Sequence, residues 1–311
     1  MSTPSSTGPE FPVDAPKSAP AALSPTRPMY WSVRRELWEN RSIVVAPLAV
    51  AAVLLFGLLI STIRLPDRMR GLSELDPAKQ YDVVAMPYSV VAGLIVAAAL
   101  LVGAFYCLDA LNGERRDRSI LFWKSLPVSD RTTVLAKAGI PLVVLPLLIY
   151  PIIVVTQLIL LLVSSAVLLG SGVGVAVLWT RLPLFQMSLA LIYALTAIAL
   201  WHAPLYGWLL LVSAWARRAA LLWAVLPLLA ISAFEWIAFR TSHFASLLRH
   251  RLIGWFTEAF VFQGEGRVAG EPLTHLSPGR FLSTPGLWLG LIFAAACLAA
   301  AVRLRRYRGP I

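Results

Sequence analysis

Side chains that could do chemistry are few in this chain of 311 residues, which has four histidines and two cysteines. A helical zinc protease needs the pattern His-Glu-x-x-His, and none of the histidines is so arranged. An ATPase needs a phosphate-binding loop, G-x-x-x-x-G-K followed by Ser or Thr, which the sequence does not contain. Ser164 or Ser165 with His202 would suit a serine hydrolase, but backbone-bonded serines and a packed histidine are the commoner arrangement. We therefore expect no catalytic, cofactor or metal site in this chain.

Three polar side chains stand out because they fall inside apolar segments: Gln157, His202 and Glu235. Polar groups are costly inside a bilayer, so these residues are candidates for lining a translocation path. Each also has a structural alternative. Gln157 would bridge two helices, and Glu235 would lie near the outer interface. His202 would bond a backbone carbonyl freed by Pro204.

The composition indicates a membrane protein. Hydrophobic residues make up 58% of the chain, charged residues only 14%, and the mean hydropathy is +0.74. The net charge of +11 comes mostly from the ends and connectors, which favours contact with lipid headgroups over binding of nucleic acid. Cys107 and Cys297 fall in apolar runs, where we expect buried thiols and no disulfide. Residues 1–28, rich in Ser, Pro, Ala and Thr, are predicted to be a disordered cytoplasmic tail, and residues 29–311 a single transmembrane domain.

Six apolar segments have close to the ~20 residues that a helix needs to cross the hydrocarbon core. They are Ser42–Ile63, Pro87–Leu111, Ala138–Leu169, Leu184–Ala214, Ala219–Phe239 and Pro285–Val302. No formal charge occurs from Ala138 to Trp179, which leaves room for one long span or two short ones. We favour one span, bent by its prolines and ended by the glycines of residues 170–174, because two would move the basic C-terminal tail outside. The predicted fold class is an all-α polytopic membrane protein with six transmembrane helices and both termini cytoplasmic.

Two further segments show the pattern of amphipathic helices. From Met29 to Arg41, aromatic residues are interleaved with charges, which predicts an N-terminal interfacial helix before the first span. In the connector of residues 240–284, apolar residues recur at steps of three and four from Phe244 to Phe260. That spacing predicts an outer amphipathic helix before the last span.

The segment from Asn112 to Lys137 is a charged connector between the second and third spans, with six Lys or Arg residues. This excess of basic residues predicts a cytoplasmic location. Four of its apolar residues share a helical face: Ile120, Leu121, Trp123 and Leu126. Pro127 ends that helix, because proline has no backbone N–H to continue the ladder. The pattern predicts a short amphipathic helix along the membrane surface, although basic connectors also occur simply to fix topology.

The same segment resembles the coupling region of permease subunits of ATP-binding-cassette exporters of the second type. In that family the loop after the second span typically runs Glu-Arg/Lys-x-x-Gly-Thr, then leucines, then Pro-Val-Ser-Arg and later Gly-Lys. Here Glu114-Arg115 opens the segment, Pro127-Val128-Ser129 follows at the matching distance, and Ala136-Lys137 falls at the matching end. The departures are Arg118-Ser119 for Gly-Thr, Trp123-Lys124 for a leucine pair and Ala136 for glycine.

The resemblance implies a permease subunit that forms the path of an exporter in the bacterial inner membrane, as a homodimer or heterodimer. ATP and Mg²⁺ would be bound by a separate ATP-binding-cassette ATPase subunit, and the short cytoplasmic helix would couple to it. The residues implied in coupling are Glu114, Arg115, Arg116, Ile120, Trp123, Leu126 and Pro127. The charged residues would pair with charges of the ATPase, with Trp123 and Leu126 as buried anchors. The alternatives are a membrane-embedded enzyme, either a protease or a lipid-modifying protein, and a membrane scaffold.

Overall fold

A computed structural model describes residues 26–72, 77–125, 128–172, 174–260, 273 and 276–307. Within these ranges the chain is almost entirely helical, and the only β-type pairing is an isolated bridge between Phe260 and Leu276. The predicted all-α architecture is therefore confirmed for the part of the chain that the structure describes. Most of the predicted tail of residues 1–28 lies outside the described residues, but the first helix already begins at Thr26, before the predicted boundary.

The described ranges contain fifteen α-helices, numbered here in chain order. They are α1 Thr26–Glu39, α2 Ser42–Ser61, α3 Leu65–Leu72, α4 Pro77–Ala110, α5 Asn112–Arg116, α6 Ser119–Ser125, α7 Asp130–Gly139, α8 Leu145–Gly170, α9 Ala176–Arg181, α10 Leu184–Trp215, α11 Ala220–Phe239, α12 His243–Ile253, α13 Trp255–Ala259, α14 Pro278–Ser283 and α15 Pro285–Tyr307. A 3₁₀ turn, Thr62–Arg64, joins α2 to α3, and a π-helical turn, Ile140–Val144, joins α7 to α8.

Six helical segments among the described residues are long and apolar enough to cross a membrane. They are Ser42–Gly71, Val84–Arg116, Asp130–Gly170, Leu184–Trp215, Ala220–Phe239 and Pro285–Tyr307. Each overlaps one predicted span, so the prediction of six apolar helices of membrane-spanning length is confirmed for the described residues. This is the architecture of a multi-pass helical membrane protein, and the segments are called spans one to six below.

The third span is one continuous helical segment, as the sequence predicted. Its departure from α geometry is the π turn that contains Pro141, and Pro146 follows directly in the first turn of α8. Proline cannot donate a backbone hydrogen bond, and a π turn accommodates the lost bond without breaking the helix. Pro151, also predicted to bend the span, lies inside regular α-helix. The span ends at Gly170, and Gly172 adopts a φ of 68° in the turn that follows.

The tightest packing joins spans four and six. A Cβ placed on Gly207 would lie 3.1 Å from the Cα of Ala294, so the two backbones approach closely because neither residue has a bulky side chain. Spans one, two and three pack around this pair through a shared apolar core. Its most buried members include Ile43, Val91, Ile95, Cys107, Ile140, Ile153, Leu210 and Ala301.

The fifth span, α11, is the exception to this packing, because Ala224 is the only one of its residues that is buried. Near its first turns the indole N–H of Trp208 donates to the backbone oxygen of Ala224 at 3.1 Å, and the rings of Trp215 and Trp223 meet edge to face. Most of the remaining length of α11 presents exposed apolar side chains. This span is therefore attached to the bundle mainly by its ends.

The two predicted amphipathic segments are both helical. The N-terminal one is α1, which ends two residues before the predicted Arg41. The segment from Phe244 to Phe260 is split into α12 and α13 at Gly254, whose N–H donates to the oxygen of His250 at 2.6 Å. A single continuous outer helix is thus replaced by two short ones. The placement of both segments at membrane interfaces stays a prediction.

Candidate functional site

The segment that carries the family resemblance folds as two short helices. Helix α5 forms the last residues of span two, and α6 follows after a joint at Arg118, which has a positive φ of 59°. Leu126 and Pro127 lie outside the described residues, so their predicted roles stay predictions. The next helix, α7, starts with a side-chain cap, in which the Ser129 hydroxyl accepts a hydrogen bond from the Thr132 N–H at 3.1 Å.

Glu114 of α5 lies at the centre of a set of ion pairs. One of its carboxylate oxygens accepts from Arg35 at 2.7 Å and lies 3.1 Å from the ammonium of Lys137. The other oxygen accepts from Arg305 near the end of span six. The Glu114 side chain is only 7% exposed, so these partners compensate the cost of burying its charge. Three separate elements, α1, α7 and α15, thereby meet at one carboxylate.

A second carboxylate, Glu36 of α1, extends this arrangement. It accepts from the ammonium of Lys137 at 2.8 Å and from the hydroxyl of Tyr106 on span two, also at 2.8 Å. Arg305 additionally pairs with Asp130, the first residue of α7, at 3.1 Å. We call the set the ionic cluster, and the end of the bundle that holds it the charged end. Its members are Arg35, Glu36, Tyr106, Glu114, Asp130, Lys137 and Arg305.

Arg35 joins the ionic cluster to α6. Its guanidinium lies 3.7 Å from the centre of the Trp123 ring, a cation–π contact, while its N–H groups reach Glu36 and Glu114. Burial alone would lower the pKa of Arg35, but attraction to the carboxylates, Glu36 first and Glu114 next, raises it above its usual value. Arg35 therefore stays charged at any physiological pH and holds α6 against α1.

Helix α5 is also fixed to the end of span four through backbone groups. The Arg115 guanidinium donates to the carbonyl oxygens of Ala214 and Ala216, at 2.8 and 3.2 Å. The Asn112 side-chain amide donates to the same Ala216 oxygen at 3.1 Å, and the Ser213 hydroxyl accepts from the Asn112 N–H at 2.9 Å. These bonds satisfy carbonyls that the last turn of α10 leaves open.

The residues predicted to couple to an ATPase divide into two groups. Glu114, Arg115 and Ile120 are buried. Glu114 forms ion pairs inside the chain and Arg115 donates to backbone oxygens, so neither side chain is presented to a partner. Arg116 is exposed, with its side chain near Asp109 and Asp117. The outward surface of α6 is formed by other residues: Leu121 and Phe122 are about 60% exposed, at 59% and 60%. Interaction of this segment with another subunit stays a prediction, and its accessible surface is the face of α6 that carries Leu121 and Phe122.

The three candidate path residues each have a structural partner. Gln157 is buried, and its amide donates to the Tyr88 carbonyl at 3.2 Å, which bridges spans three and two. A ring nitrogen of the buried His202 lies 3.0 Å from the Ile198 oxygen, one turn back on its own helix, rather than at the carbonyl freed by Pro204. Gln157 therefore bridges two helices, as its structural alternative predicted. His202 bonds a backbone carbonyl, as predicted, but that carbonyl belongs to Ile198.

Glu235 is only partly buried and caps the start of α12. Its carboxylate accepts from the N–H groups of His243 and Phe244, at 2.7 and 2.8 Å, and from the Thr241 hydroxyl at 2.9 Å. No hydrogen bond or ion pair among the described residues joins Gln157, His202 and Glu235 to one another. The structure therefore does not gather these three into one polar site.

Sequence reasoning missed Glu36, Tyr106, Asp130 and Arg305 as members of one cluster. A signal for Arg305 existed: it follows buried Ala294, Cys297 and Ala301 at helical steps of three and four, so it continues the buried stripe of span six. Glu36 likewise lies between the apolar residues Val33 and Leu37 of α1. A charge on an apolar stripe needs a buried partner, but the partner itself cannot be read from one chain.

Comparison of the chain with protein-family models, with curated proteins and with solved structures finds no match. The described residues contain no group of three or more His, Cys, Asp or Glu side chains able to hold a metal ion. Cys107 and Cys297 are buried free thiols. The function must therefore be argued from the membrane-type architecture and from the charged end.

Proposed function

We propose that this chain is the transmembrane permease subunit of an ATP-driven exporter, and that a separate ATP-binding-cassette ATPase drives it from the side of the charged end. The single observation that supports this most is the attachment of α5 and α6. Glu114 joins α5 to α1, α7 and α15, and Arg115 joins it to α10. A displacement of the α5–α6 segment is therefore transmitted to spans two, three, four and six together, as coupling to an external motor requires.

In this proposal the ATPase contacts α6 through Leu121 and Phe122. Two adjacent, exposed apolar side chains are unfavourable in water and suit a groove on a partner protein. The charged end then lies in the cytoplasm with both termini, and the protein resides in the bacterial inner membrane. The ATPase binds ATP with Mg²⁺, which agrees with the lack of a phosphate-binding loop in this sequence.

The test first asks whether the reading frame next to this one encodes an ATPase with the phosphate-binding loop, and then measures recruitment of that ATPase. The double variant Leu121→Ala/Phe122→Ala should reduce co-purification of that ATPase by more than roughly tenfold, because anchor residues in a contact contribute ~2 kcal/mol or more. The matched control is Leu252→Ala/Ile253→Ala, an adjacent and similarly exposed apolar pair on α12 at the opposite end of the bundle. Equal recruitment by the α6 variant, or equal loss in the control, would overturn the proposal.

We also propose that two copies of the chain pair along α11. This span is the least buried of the six, and its exposed apolar side chains include Leu226, Leu229 and Phe234. Packing against a second copy would bury this surface and would place two permease subunits around one path. A Leu229→Cys variant should then form cross-linked dimers in native membranes with a short thiol-specific reagent. The control, Leu289→Cys on span six, is equally exposed and should not cross-link. Dimers in both variants or in neither would contradict this arrangement.

A further inference from the structure

The two faces of α1 differ sharply in what they contact. Glu36 is 2% exposed and belongs to the ionic cluster, and Val33 and Leu37 pack against the apolar core. On the opposite face Trp31 and Trp38 are 57% and 67% exposed. The inner contacts fix the rotation of α1, so the aromatic face is held in a defined outward direction.

Arg34 lies between those two tryptophans on the outer face. Its guanidinium is 5.1 Å from the centre of the Trp31 ring and 4.6 Å from that of Trp38. Stacking of this kind orients a guanidinium while leaving its edge N–H groups open for an anion, because ring faces offer no hydrogen-bond acceptor in the guanidinium plane. Among the described residues no carboxylate lies within ion-pair distance of Arg34, whereas neighbouring Arg35 pairs with Glu36, Glu39 and Glu114.

The charge of this face is positive and has a second contributor. A second positive charge comes from Arg41, which follows the end of α1 by two residues, directly precedes span one and is exposed. Glu39, the exposed acid of α1, pairs with Arg35 at 3.3 Å. Tyr30 adds a third exposed aromatic ring, 59% accessible, at the start of the same face. We call the outer face of α1 that carries Tyr30, Trp31, Arg34 and Trp38, together with Arg41 just after the helix, the Trp–Arg face.

The position of α1 suits a membrane surface. Span one begins at Ser42, directly after the Trp–Arg face, so α1 enters the bundle where that span enters the bilayer. Tryptophan and tyrosine concentrate at headgroup depth, with the ring in the interface and the polar edge in water. Arginine beside them meets the lipid phosphates, and attraction to anionic lipid strengthens such binding.

We propose that the Trp–Arg face is a binding site for anionic phospholipid, in which Arg34 and Arg41 contact the headgroup phosphate and the aromatic rings lie at the level of the glycerol backbone. Phosphatidylglycerol is the probe chosen to represent this class. The inference depends on the membrane location of the chain and not on the proposed export function, so the two can fail independently.

The experiment measures the lipid retained by the full-length chain. Protein is reconstituted into nanodiscs of phosphatidylcholine with phosphatidylglycerol, released, and analysed by native mass spectrometry for bound phosphatidylglycerol. Arg34→Gln should lower its apparent affinity by roughly fivefold, and Arg34→Gln/Arg41→Gln by roughly twentyfold, since each basic residue at an anionic surface contributes ~1 kcal/mol. The control is Arg64→Gln, the same change at an exposed arginine in the 3₁₀ turn after α2, at the far side of span one. Thermal melting in neutral detergent should be unchanged in all variants.

Several results would overturn the inference. The first is that Arg34→Gln retains as much phosphatidylglycerol as the unaltered protein. The second is that Arg64→Gln loses as much phosphatidylglycerol as Arg34→Gln, because that would indicate general attraction by net charge. Displacement of the bound lipid by millimolar inorganic phosphate would show a free-phosphate site instead of a headgroup site. Unaltered lipid retention with lowered ATPase recruitment would assign the face to a protein partner.

Discussion

The helices are held together by different kinds of contact at the two ends of the bundle. At the charged end, ionised side chains from α1, α5, α7 and α15 pair with one another, and Glu114 alone meets Arg35, Lys137 and Arg305. At the opposite end, which holds α12, α13 and α14, several contacts run from side chains to backbone, and the ion pair of Glu258 with Arg280, at 3.7 Å, is partly exposed. The Trp201 indole donates to the Arg251 carbonyl at 2.9 Å.

The pKa values of two arginines express the same difference. Burial lowers the pKa of Arg35, attraction to the carboxylates raises it, and the net effect is a raised pKa. Burial lowers the pKa of Arg251, which stacks 4.7 Å above the Trp201 ring and donates to the Gly286 oxygen at 3.1 Å. The charge of Arg251 is thus held by a backbone dipole and a ring face, and no carboxylate among the described residues pairs with it. A substitution at the charged end should therefore disturb several elements together, and one at the opposite end should act locally.

The largest effect is expected from Glu114→Gln. The neutral amide leaves the ionic cluster with one positive charge in excess, although Glu36 and Asp130 remain, and an uncompensated charge in a buried site costs about 3–5 kcal/mol. The free energy of unfolding, measured by denaturant titration in mild detergent, should fall by that amount. The matched control is Glu39→Gln, the same change on an α1 carboxylate that is 47% exposed, where a loss below about 1 kcal/mol is expected. Similar losses in the two variants would contradict the central role of Glu114.

The next largest effect, at Lys137, tests how much its ion pair with Glu36 contributes to the free energy of unfolding. Lys137→Met should cost about 3 kcal/mol, because it leaves Glu36 and Glu114 with one cation fewer in a buried site. Adding Glu36→Gln to Lys137→Met removes the excess negative charge that Lys137→Met leaves in the ionic cluster and should recover part of that loss. A double-mutant cycle on unfolding free energies measures this coupling, with more than about 1 kcal/mol expected for groups in contact. Strict additivity would show that the 2.8 Å contact contributes no pairing energy.

How much of this could be predicted from the sequence depends on the range of the interaction. The six spans follow from local apolar length, and the single third span from the position of its glycines and prolines, so these predictions were correct. The short helix between spans two and three was predicted from the spacing of its apolar residues, and α6 lies there. The inward direction of the Glu114 side chain was not predicted, because its partner Arg305 is 191 residues away in the chain and no local pattern links the two. The split of the outer helix at Gly254 depends on how α12 and α13 pack, which periodicity alone does not contain.

A smaller effect is expected at the opposite end from Gly290→Ala on span six. A Cβ at this position would lie 1.8 Å from a terminal nitrogen of Arg251, so the guanidinium must leave its place over Trp201. Overpacking of this kind costs about 1–3 kcal/mol. Gly93→Ala is the matched control, because nothing lies within 4 Å of its added Cβ and alanine favours the helix. Adding Arg251→Ala should recover most of the stability lost in Gly290→Ala. If no stability were recovered, a clash between the added Cβ and the Arg251 guanidinium could not be the cause of the loss.

The smallest effect should come from Glu235→Gln, which tests whether contacts at the opposite end act locally. The carboxylate accepts from the N–H groups of His243 and Phe244, and an amide oxygen accepts such bonds more weakly because it carries no charge. Hydrogen exchange should therefore quicken at the first turn of α12, while the melting temperature and the exchange rates of α5 and α7 stay unchanged. If exchange rose at the charged end as well, the two ends would be coupled through the spans, and the contrast between a shared cluster and separate local contacts would no longer hold.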